Sequence, residues 1–319
     1  MSRAPTITIV TPTRNRRAAL LRAIESVRRQ TLEDFEHIVV DDGSDDGTAE
    51  AVATVEDRRL RFVRFDDRRG ANAARNLGIG LARSNLVAFL DSDDEYLPFR
   101  LERSVAMFGA DPSINITISS FQACKAGRMT PTTNGGARLS PLDFERALMA
   151  QVTAIAGSAI TVRKAAFEAV GLFDEALRRF QDRELLLRLA AADFGATTIE
   201  PIDWVKHHSE DSISSQRHGY VAAYGELLVR HPRLLERYPD IAVYMVARRL
   251  LSSLLQGQFR ALLGDFDANR RSPALGFSPT RLVAGYLKGR GQRKLIRRQV
   301  RSLAESHAAD QPAVVPLTS

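Results

Sequence analysis

The chain has 319 residues, of which 44% are hydrophobic and 26% are charged, a composition typical of a soluble globular protein with one large or two ordinary domains. Its single cysteine, Cys124, excludes an internal disulfide framework and a cysteine-rich zinc site, and it suits a reducing cytoplasm. The longest apolar stretch, 241–255, contains Arg248 and Arg249 and is shorter than the roughly 18 apolar residues that cross a bilayer. No secretory signal is visible either. We therefore expect a cytoplasmic protein that does not span a membrane.

The net charge of +7 raises the question of a nucleic-acid partner. Aromatic residues make up only 7% of the chain, and no nucleic-acid-binding motif is recognisable. Because recognition of single-stranded bases depends on aromatic stacking, this composition argues against such a partner. We expect no nucleic acid to bind.

Four runs rich in apolar and β-branched residues predict buried strands of an α/β sheet: 6–11, 35–40, 60–65 and 86–90. Apolar residues at helical spacing over 20–27 and the segment 71–82 predict helices between them, as parallel strands require. The strands would bring their carboxyl ends to one edge, where open α/β sheets bind ligands. No Gly-x-Gly-x-x-Gly follows the first strand, so a dinucleotide cofactor is not expected.

The mixed pattern continues to about residue 215, and only helices are predicted beyond it. Strands are predicted at 114–119 and 159–162, helices after Pro98 and over 164–170 and 183–192, and a Gly/Thr/Pro/Asn-rich loop at 127–136. The later helices should break at Pro232, Pro239, Gly264 and 272–279. We divide the chain into an α/β domain at 1–215 with halves at 1–97 and 98–215, a helical region at 216–307 and a disordered tail at 308–319.

Three carboxylates, Asp91, Asp93 and Asp94, directly follow the predicted strand at 86–90. Alternate residues of an extended chain point the same way, so Asp91 and Asp93 can face one point while Ser92 faces away. Mg²⁺ and Mn²⁺ prefer oxygen ligands, and Mg²⁺ usually takes one or two carboxylates and completes its shell with water and substrate phosphates. The pattern therefore suits a metal-bound nucleoside diphosphate, and the simpler alternative is a solvated acidic loop.

Six ordered segments resemble the inverting glycosyltransferases of family 2, which share the GT-A fold. They comprise Thr-Pro-Thr-Arg-Asn-Arg at 11–16, Gln-Thr at 30–31, Val-Val-Asp-Asp-Gly-Ser-Asp-Asp-Gly-Thr at 39–48, Gly-Ala-Asn-Ala-Ala-Arg-Asn-Leu-Gly at 70–78, the acidic cluster at 91–94, and Gly-Leu-Phe-Asp-Glu at 171–175 followed by Gln181 and Asp182. The likeness covers roughly residues 5–215. It implies a GT-A α/β fold with a helical C-terminal extension.

The resemblance also implies a nucleotide site. Base and ribose would lie on Pro12, Thr13 and Arg14 and on Asp42, which matches an aspartate that hydrogen-bonds uracil in relatives that bind UDP. The alternative for Asp42 is a simple Asp-Asp-Gly-Ser turn. Further nucleotide contacts would come from Asn72, Ser92 and Arg75, whose guanidinium suits the diphosphate.

The same resemblance assigns the metal site and the catalytic base. Asp91 and Asp93 match a metal-binding Asp-x-Asp motif, and His208 would add a contact to Mn²⁺ or Mg²⁺ or to the diphosphate. For His208 and its neighbour His207, a surface pair at a strand end is an equal alternative. Asp182 matches the base that takes the proton of the incoming hydroxyl, and the alternative is a favourable acid in the first turn of a helix.

The last part of the chain is basic. Apolar residues of 280–302 alternate with arginines and lysines at helical spacing, which predicts an amphipathic helix that lies on an anionic membrane or packs on the α/β domain with a solvated charged face. We leave both interpretations open. The membrane interpretation places the protein at the inner membrane surface.

Together these features predict a metal-dependent inverting glycosyltransferase that moves a sugar from a nucleotide diphosphate, with UDP favoured, to a glycan or lipid-linked acceptor in cell-surface polysaccharide synthesis. A nucleotidyltransferase is one alternative, but it requires a glycine-rich phosphate loop, and the segment 11–15 has no glycine. A non-enzymatic protein that binds nucleic acid or another anionic surface is the second alternative.

Overall fold

The computed structural model of the chain describes residues 3–208 and 219–310. In this part of the chain a mixed sheet has the strand order β3-β2-β1-β4-β9-β6-β10-β5, with β7 paired to β6 and β8 to β10. The strands are β1 Ile7–Thr13, β2 Phe35–Asp41, β3 Leu60–Arg64, β4 Leu86–Phe89, β5 Glu95–Tyr96, β6 Ile116–Lys125, β7 Arg128–Thr132, β8 Arg138–Leu139, β9 Ile160–Arg163 and β10 Ala196–His207. The helices are α1 Arg17–Arg28, α2 Thr48–Ala53, α3 Ala71–Leu81, α4 Arg100–Ala110, α5 Pro141–Ala150, α6 Lys164–Val170, α7 Gln181–Ala191, α8 Tyr220–Arg230, α9 Pro232–Arg237, α10 Pro239–Leu255, α11 Phe259–Arg271 and α12 Pro279–Asp310.

The first four strands form the predicted parallel sheet. β1 lies between β2 and β4 and is parallel to both, and β3 is parallel to β2. Every residue of β1, β2 and β4 is buried, because helices cover both faces of a parallel sheet. The register pairs Thr13 with Asp41, so the chain leaves β1 and β2 at the same edge. This confirms the predicted strands and brings the motifs that follow them together.

The loop prediction for 127–136 is wrong for Arg128–Thr132, which form β7. β7 pairs antiparallel with β6 across a two-residue turn in which Ala126 and Gly127 both have positive φ, 48° and 77°. Such turns match the twist of a hairpin. Proline and glycine suggested a loop, but Pro131 is tolerated because an edge strand leaves some N–H positions unpaired.

The C-terminal helices pack on the sheet domain and on each other. α10 and α12 run antiparallel in close contact: a Cβ at Gly285 would lie 2.4 Å from Val243 Cγ1, and one at Gly289 would lie 2.2 Å from the Asp240 carbonyl oxygen. The predicted break at Gly264 is wrong, because α11 continues through it at the modest cost of one helical glycine. Within residues 3–208 and 219–310, no helix combines the length and apolarity needed to cross a bilayer.

The predicted amphipathic helix over 280–302 lies within α12. Its Leu282 and Val300 are buried, and Tyr286, Ile296 and Leu303 pack against the main core, so most of the apolar stripe is occupied by the rest of the protein. This supports the packing interpretation for that face. α12 continues to Asp310, inside the segment predicted to be disordered; the rest of that segment, and the predicted boundary at 215, lie outside the described residues.

Candidate active site

The carboxyl ends of β1 and β2 form the floor of the candidate site. Pro12 and Thr13 are buried at the end of β1, and Arg14 follows directly. In the described part of the chain, Thr13 Oγ1 and Arg14 Nε are buried without hydrogen-bond partners. Buried polar atoms are normally paired, so these two are exceptions at the floor of the candidate site.

The two aspartates after β2 have different local roles. Asp41 accepts hydrogen bonds from the backbone N–H and the hydroxyl of Ser44 and so forms the turn. Asp42 Oδ1 accepts from the N–H groups of Arg69 at 2.6 Å and Gly70 at 2.9 Å. Asp42 therefore fixes the start of α3, and its carboxylate keeps lone pairs for a further donor. The turn interpretation fits Asp41 and not Asp42.

α3 carries a buried cation to the site. Arg75 is only 4% exposed, and its Nη2 donates to Asp91 Oδ1 at 2.7 Å. Its Nη1 donates to Asn72 Oδ1 at 3.2 Å. Burial opposes the charge of Arg75, but Asp91 and Asp182 outweigh it and raise the pKa of the guanidinium. Arg75 is thus a permanent positive charge between two of the predicted site residues.

Two asparagines of α3 connect the predicted nucleotide site to the segment 171–177. Asn72 Nδ2 donates to the carbonyl oxygens of Asp174 and Leu177, both at 2.8 Å. Asn76 Nδ2 donates to the Phe173 carbonyl at 3.0 Å, and Phe173 N–H donates back to Asn76 Oδ1 at 2.9 Å. These bonds form an asparagine clamp. The Asn72 amide nitrogen is used in this clamp, so Asn72 has a structural role beside the site. Its contact with a nucleotide stays a prediction.

The acidic cluster lies in a turn after β4, in which the Asp94 N–H donates to the Asp91 carbonyl oxygen at 2.9 Å, so the extended alternation predicted for Asp91, Ser92 and Asp93 is not adopted. Asp91 faces Arg75, and Asp93 Oδ2 lies 2.6 Å from Arg16 Nη1 at the wall of a cavity of about 380 Å³. Ser92 is buried. Burial would raise the pKa of Asp91, but Arg75 and Lys206 outweigh it and lower that pKa below its usual range. Asp91 is therefore ionised.

Asp94 has a different environment from its two neighbours. It is buried, and its Oδ2 accepts from Ser158 Oγ at 2.6 Å while its Oδ1 accepts from the His207 N–H at 3.1 Å. Ser158 Oγ also accepts from the Asp91 N–H at 3.0 Å. Burial and the adjacent Asp91 raise the pKa of Asp94 well above its usual range. Asp94 and Ser158 therefore hold the acidic turn and the end of β10 in place.

The two histidines at the end of β10 have different neighbours. His207 Nε2 lies 2.7 Å from Glu95 Oε1, so its ring is engaged away from the acidic pair. Burial and the charges of Lys206 and Lys125 lower the pKa of His208, and Asp93 acts in the opposite direction, which places His208 in the electrostatic reach of Asp93. The contact of His208 with a metal ion or a diphosphate stays a prediction.

The donor set suits a metal ion that a ligand helps to hold. Among the described residues no group of three or more His, Cys, Asp or Glu side chains converges on one point. Of the two carboxylates Asp91 and Asp93, Asp93 lines the cavity, and each is bound by an arginine. Mg²⁺ and Mn²⁺ are commonly held by one or two carboxylates together with substrate phosphates. The site therefore fits a metal ion that arrives with a diphosphate.

Asp182 lies in the first turn of α7 and faces the same site. Its Oδ1 is buried and has no hydrogen-bond partner among the described residues. Burial raises the pKa of Asp182, and Arg75 opposes the rise. Phe180 lies two residues before Asp182 and has a left-handed φ of 62°. It packs on Tyr220 with ring centroids 5.2 Å apart, and this contact holds the start of α7 in place. An unpartnered, pre-positioned carboxylate oxygen is what a general base requires.

Three residues of the site were not predicted from the sequence: Arg16, Ser158 and Lys206. Arg16 belongs to the quoted segment 11–16, and Lys206 directly precedes the two histidines, so position in a motif was an available signal for both. Lys206 acts on Asp91, Asp94 and Asp182. Ser158 stands in a short 3-10 helix, Gly157–Ala159, which no local pattern marked.

Comparison with known proteins agrees with this geometry. The model of the family described as "Glycosyl transferase family 2" matches residues 8–171, half of the chain. The succinoglycan biosynthesis protein ExoO of Rhizobium meliloti is 35% identical over 225 residues, 67% of this chain and 64% of its own length. An Escherichia coli protein, UDP-Glc:alpha-D-GlcNAc-diphosphoundecaprenol beta-1,3-glucosyltransferase WfgD, is 34% identical over 101 residues, 32% of this chain and 40% of its own.

Among solved structures, TarS 1–349 of S. aureus in complex with UDP-GlcNAc is similar in fold. The TM-score is 0.65 at 16% sequence identity, with 98% of this chain and 95% of that chain covered. The GT-A prediction for the fold is thereby confirmed.

Proposed function

Since the chain belongs to glycosyl transferase family 2 and is a transferase, we propose that it moves a sugar with inversion from a UDP-sugar to a lipid-linked or glycan acceptor in cell-surface polysaccharide synthesis. The observation that carries the proposal is the unpartnered Asp182 Oδ1, buried beside Arg75 and Asp91. Residues 1–215 would form the catalytic domain, with the donor on the half at 1–97 and the acceptor on the half at 98–215.

The donor would bind across the carboxyl ends of β1 and β2. Thr13 Oγ1 and Arg14 Nε would pair with the base or ribose, because both are buried without partners in the described residues. Arg75 would meet the diphosphate with its fixed charge. UDP is favoured by the name of the Escherichia coli relative, which includes UDP-Glc, and by Asp42, whose carboxylate can accept from the uracil N–H.

A divalent cation would be held by Asp91 and Asp93, with His208 next to it. When bound, Mn²⁺ or Mg²⁺ supplies Lewis-acid stabilisation of the charge that the leaving diphosphate acquires. Arg16 would leave Asp93 as the diphosphate enters, because its guanidinium can pair with phosphate oxygens equally well.

In the proposed reaction the acceptor hydroxyl oxygen forms a bond to C1 of the sugar while the bond from C1 to the diphosphate oxygen breaks. The Asp182 carboxylate takes the hydroxyl proton, and Arg75 and Lys206 balance the negative charge of the leaving group. Attack from the face opposite the diphosphate inverts C1. Burial of Asp182 helps because a raised pKa brings the base closer to the operating pH.

The acceptor and the cellular location are inferred from the names of two relatives and from the charge of α12. The Escherichia coli relative is named for a diphosphoundecaprenol acceptor, and the Rhizobium meliloti relative for succinoglycan biosynthesis. A lipid-linked acceptor would place this chain in the cytoplasm at the inner membrane surface. The outward basic side chains of α12 provide charge that suits anionic lipids.

Nucleotide binding tests the proposal. Thermal shift and calorimetry with UDP, GDP, CDP and dTDP, each with and without Mn²⁺, should show stabilisation by UDP that requires the metal ion. Asp93→Ala should abolish the metal-dependent part, and the exposed Glu168→Ala should leave it intact. Asp182→Asn should bind UDP normally and lose transfer. Binding of none of the four nucleotides would refute the proposal, and a response to GDP alone would reassign the donor.

A further inference from the structure

The end of α10 and one face of α11 expose a cluster of large apolar side chains. α11 contributes residues at positions i, i+4 and i+7, which share one face of a helix. A three-residue connection joins them to the end of α10. The members, which we term the apolar corner, are between 36% and 77% exposed: Leu251, Leu254, Leu255, Phe259, Leu263 and Phe266.

The apolar corner is not an unfilled part of the core. The opposite face of α11 is already packed: Ala261, Asp265 and Asn269 are buried. Asp265 accepts from Arg249 Nε at 2.8 Å, and Asn269 Nδ2 donates to the Phe277 carbonyl at 2.9 Å. α11 is therefore held with its apolar face outward. Several large exposed apolar side chains on two consecutive helices are typical of an interaction surface.

The positive charge of the region around the apolar corner indicates an anionic partner. Residues 239–301 contain thirteen arginines and lysines against three aspartates, so this segment carries +10 in a chain whose net charge is +7. On α12, Arg290, Lys294 and Arg298 lie at i, i+4 and i+8 and form a basic stripe on the exposed face. Within 3–208 and 219–310 no carboxylate pairs with this stripe, whereas Lys288 pairs with Asp240 and Arg301 with Glu305.

The inner face of α11, opposite the apolar corner, is connected to the start of α7 through a short series of contacts. Phe180, two residues before Asp182, packs on Tyr220 at 5.2 Å. The Arg249 guanidinium lies over the Tyr220 ring at 5.8 Å, and it also binds Asp265 on the inner face of α11. The corner is thus fixed to the side of the molecule on which α7 begins.

We propose that the apolar corner inserts into the interfacial layer of an anionic lipid bilayer, with the basic stripe of α12 lying against the lipid headgroups. Phe and Leu side chains on one face of a short helix, with arginines and lysines nearby, are the composition of an interfacial membrane contact. A second protein chain would need a matching acidic surface to pair with the charge of +10 on residues 239–301. An anionic bilayer presents negative headgroups over its whole surface and needs no such match. Docking there would hold Asp182 near an acceptor that projects from the same bilayer, and only this last clause rests on the proposed function.

Vesicle binding by the full chain tests the insertion. We expect co-sedimentation with phosphatidylcholine vesicles that contain phosphatidylglycerol and much weaker binding to phosphatidylcholine alone. Leu255→Ser/Phe259→Ser/Leu263→Ser should lower binding to the anionic vesicles by more than about tenfold, since burying each large apolar side chain is worth at least about a factor of ten. The control Leu142→Ser/Val229→Ser, which removes two exposed apolar groups elsewhere, should bind like the wild type.

The basic stripe has a separate test. Arg290→Gln/Lys294→Gln/Arg298→Gln should weaken binding to anionic vesicles and abolish the advantage over phosphatidylcholine. All of these side chains are exposed, so each variant should keep the wild-type Tm and the nucleotide-dependent thermal shift. Asp182→Asn should bind vesicles normally, so failure of membrane docking and failure of the proposed transfer are distinguishable.

Two results would overturn the proposal. One is equal vesicle binding by the wild type and the corner variant, or binding by neither. The other is a concentration-dependent dimer in light scattering that the corner variant abolishes, because a second copy of the chain would then be the occupant.

Discussion

Asp182 combines burial with an oxygen that lacks a partner among the described residues, and this combination predicts a pH dependence. A general base must be ionised, so kcat/KM should fall as the pH drops through a pKa that burial has raised above 3.8. Gln181→Glu places a second carboxylate beside it, and the like charge should raise that pKa and move the acidic limb to higher pH. The exposed Gln299→Glu should leave the limb in place. Superimposable profiles for Gln181→Glu and the wild type would contradict the assignment of the base.

The ion pair between Arg16 and Asp93 predicts that Arg16 and a metal ion compete for the Asp93 carboxylate. Its guanidinium lies 2.6 Å from the Asp93 carboxylate, so a cation that binds before the nucleotide must displace it. Arg16→Gln should tighten Mn²⁺ binding to the nucleotide-free protein by about two- to fivefold, the range for a partly exposed ion pair. Calorimetry without nucleotide measures the change. Arg17→Gln removes a neighbouring charge that pairs with no site carboxylate among residues 3–208 and 219–310, and it is the control. Weaker Mn²⁺ binding in Arg16→Gln would refute the competition.

The sequence predicted individual charged residues of the candidate site but not their partners. Asp91, Asp93 and Asp182 were predicted, because carboxylates that follow strands or begin helices belong to short, ordered motifs. The pairing of Arg16 with Asp93 and the double role of Ser158 depend on contacts across 77 and 67 positions of the chain. Local periodicity carries no information about contacts at that separation.

Between elements, the asparagine clamp ties α3 to the segment that leads into α7. Asn72→Ala would leave the carbonyls of Asp174 and Leu177 without their shared donor, and Arg75 without a neighbour that orients it. We expect a loss of about 1–3 kcal/mol of unfolding free energy, as for other buried hydrogen-bonded groups. Urea denaturation measures it. Asn115→Ala, which removes only a local bond to Ser113, should change the midpoint far less; equal midpoints for the two variants would show that the clamp is dispensable.

Strands β1 to β4 were predictable because each is a short β-branched run, buried on both faces, with turn residues at its ends. β7 was not, since Thr130 and Thr132 alternate with Met129 and Pro131 in a composition that also suits a loop. The packing partner of α12 could not be predicted either. The spacing of its apolar residues predicted one apolar face, but it could not distinguish a face that contacts lipid from one that packs on α10. Gly285 and Gly289 were the available signal for close helix packing.

For the molecule as a whole, the glycines of α12 predict how the helical region contributes to stability. A Cβ at Gly289 would lie 2.2 Å from the Asp240 carbonyl oxygen, so Gly289→Ala must separate α10 from α12 and should cost about 1–3 kcal/mol. Gly291 has no atom within 4 Å of such a Cβ, and Gly291→Ala should gain about 0.5–1 kcal/mol from helix propensity. Thermal unfolding measures both. Because one hydrophobic cluster contains residues of both the sheet and α10, Gly289→Ala should lower the Tm of the whole protein; a separate early transition would show that the helical region unfolds independently.

The strand order has a consequence for protein engineering. The two proposed halves meet at residue 97, yet β4 of the first half pairs with β9 of the second, and β5, at Glu95–Tyr96, pairs with β10. A fragment that ended at this point would present the whole edge of β4 unpaired and would leave β5 without a neighbour, which is a template for aggregation. Donor and acceptor halves from different relatives therefore cannot be joined as independent modules; a chimera must exchange β4, β9 and the asparagine clamp as one unit.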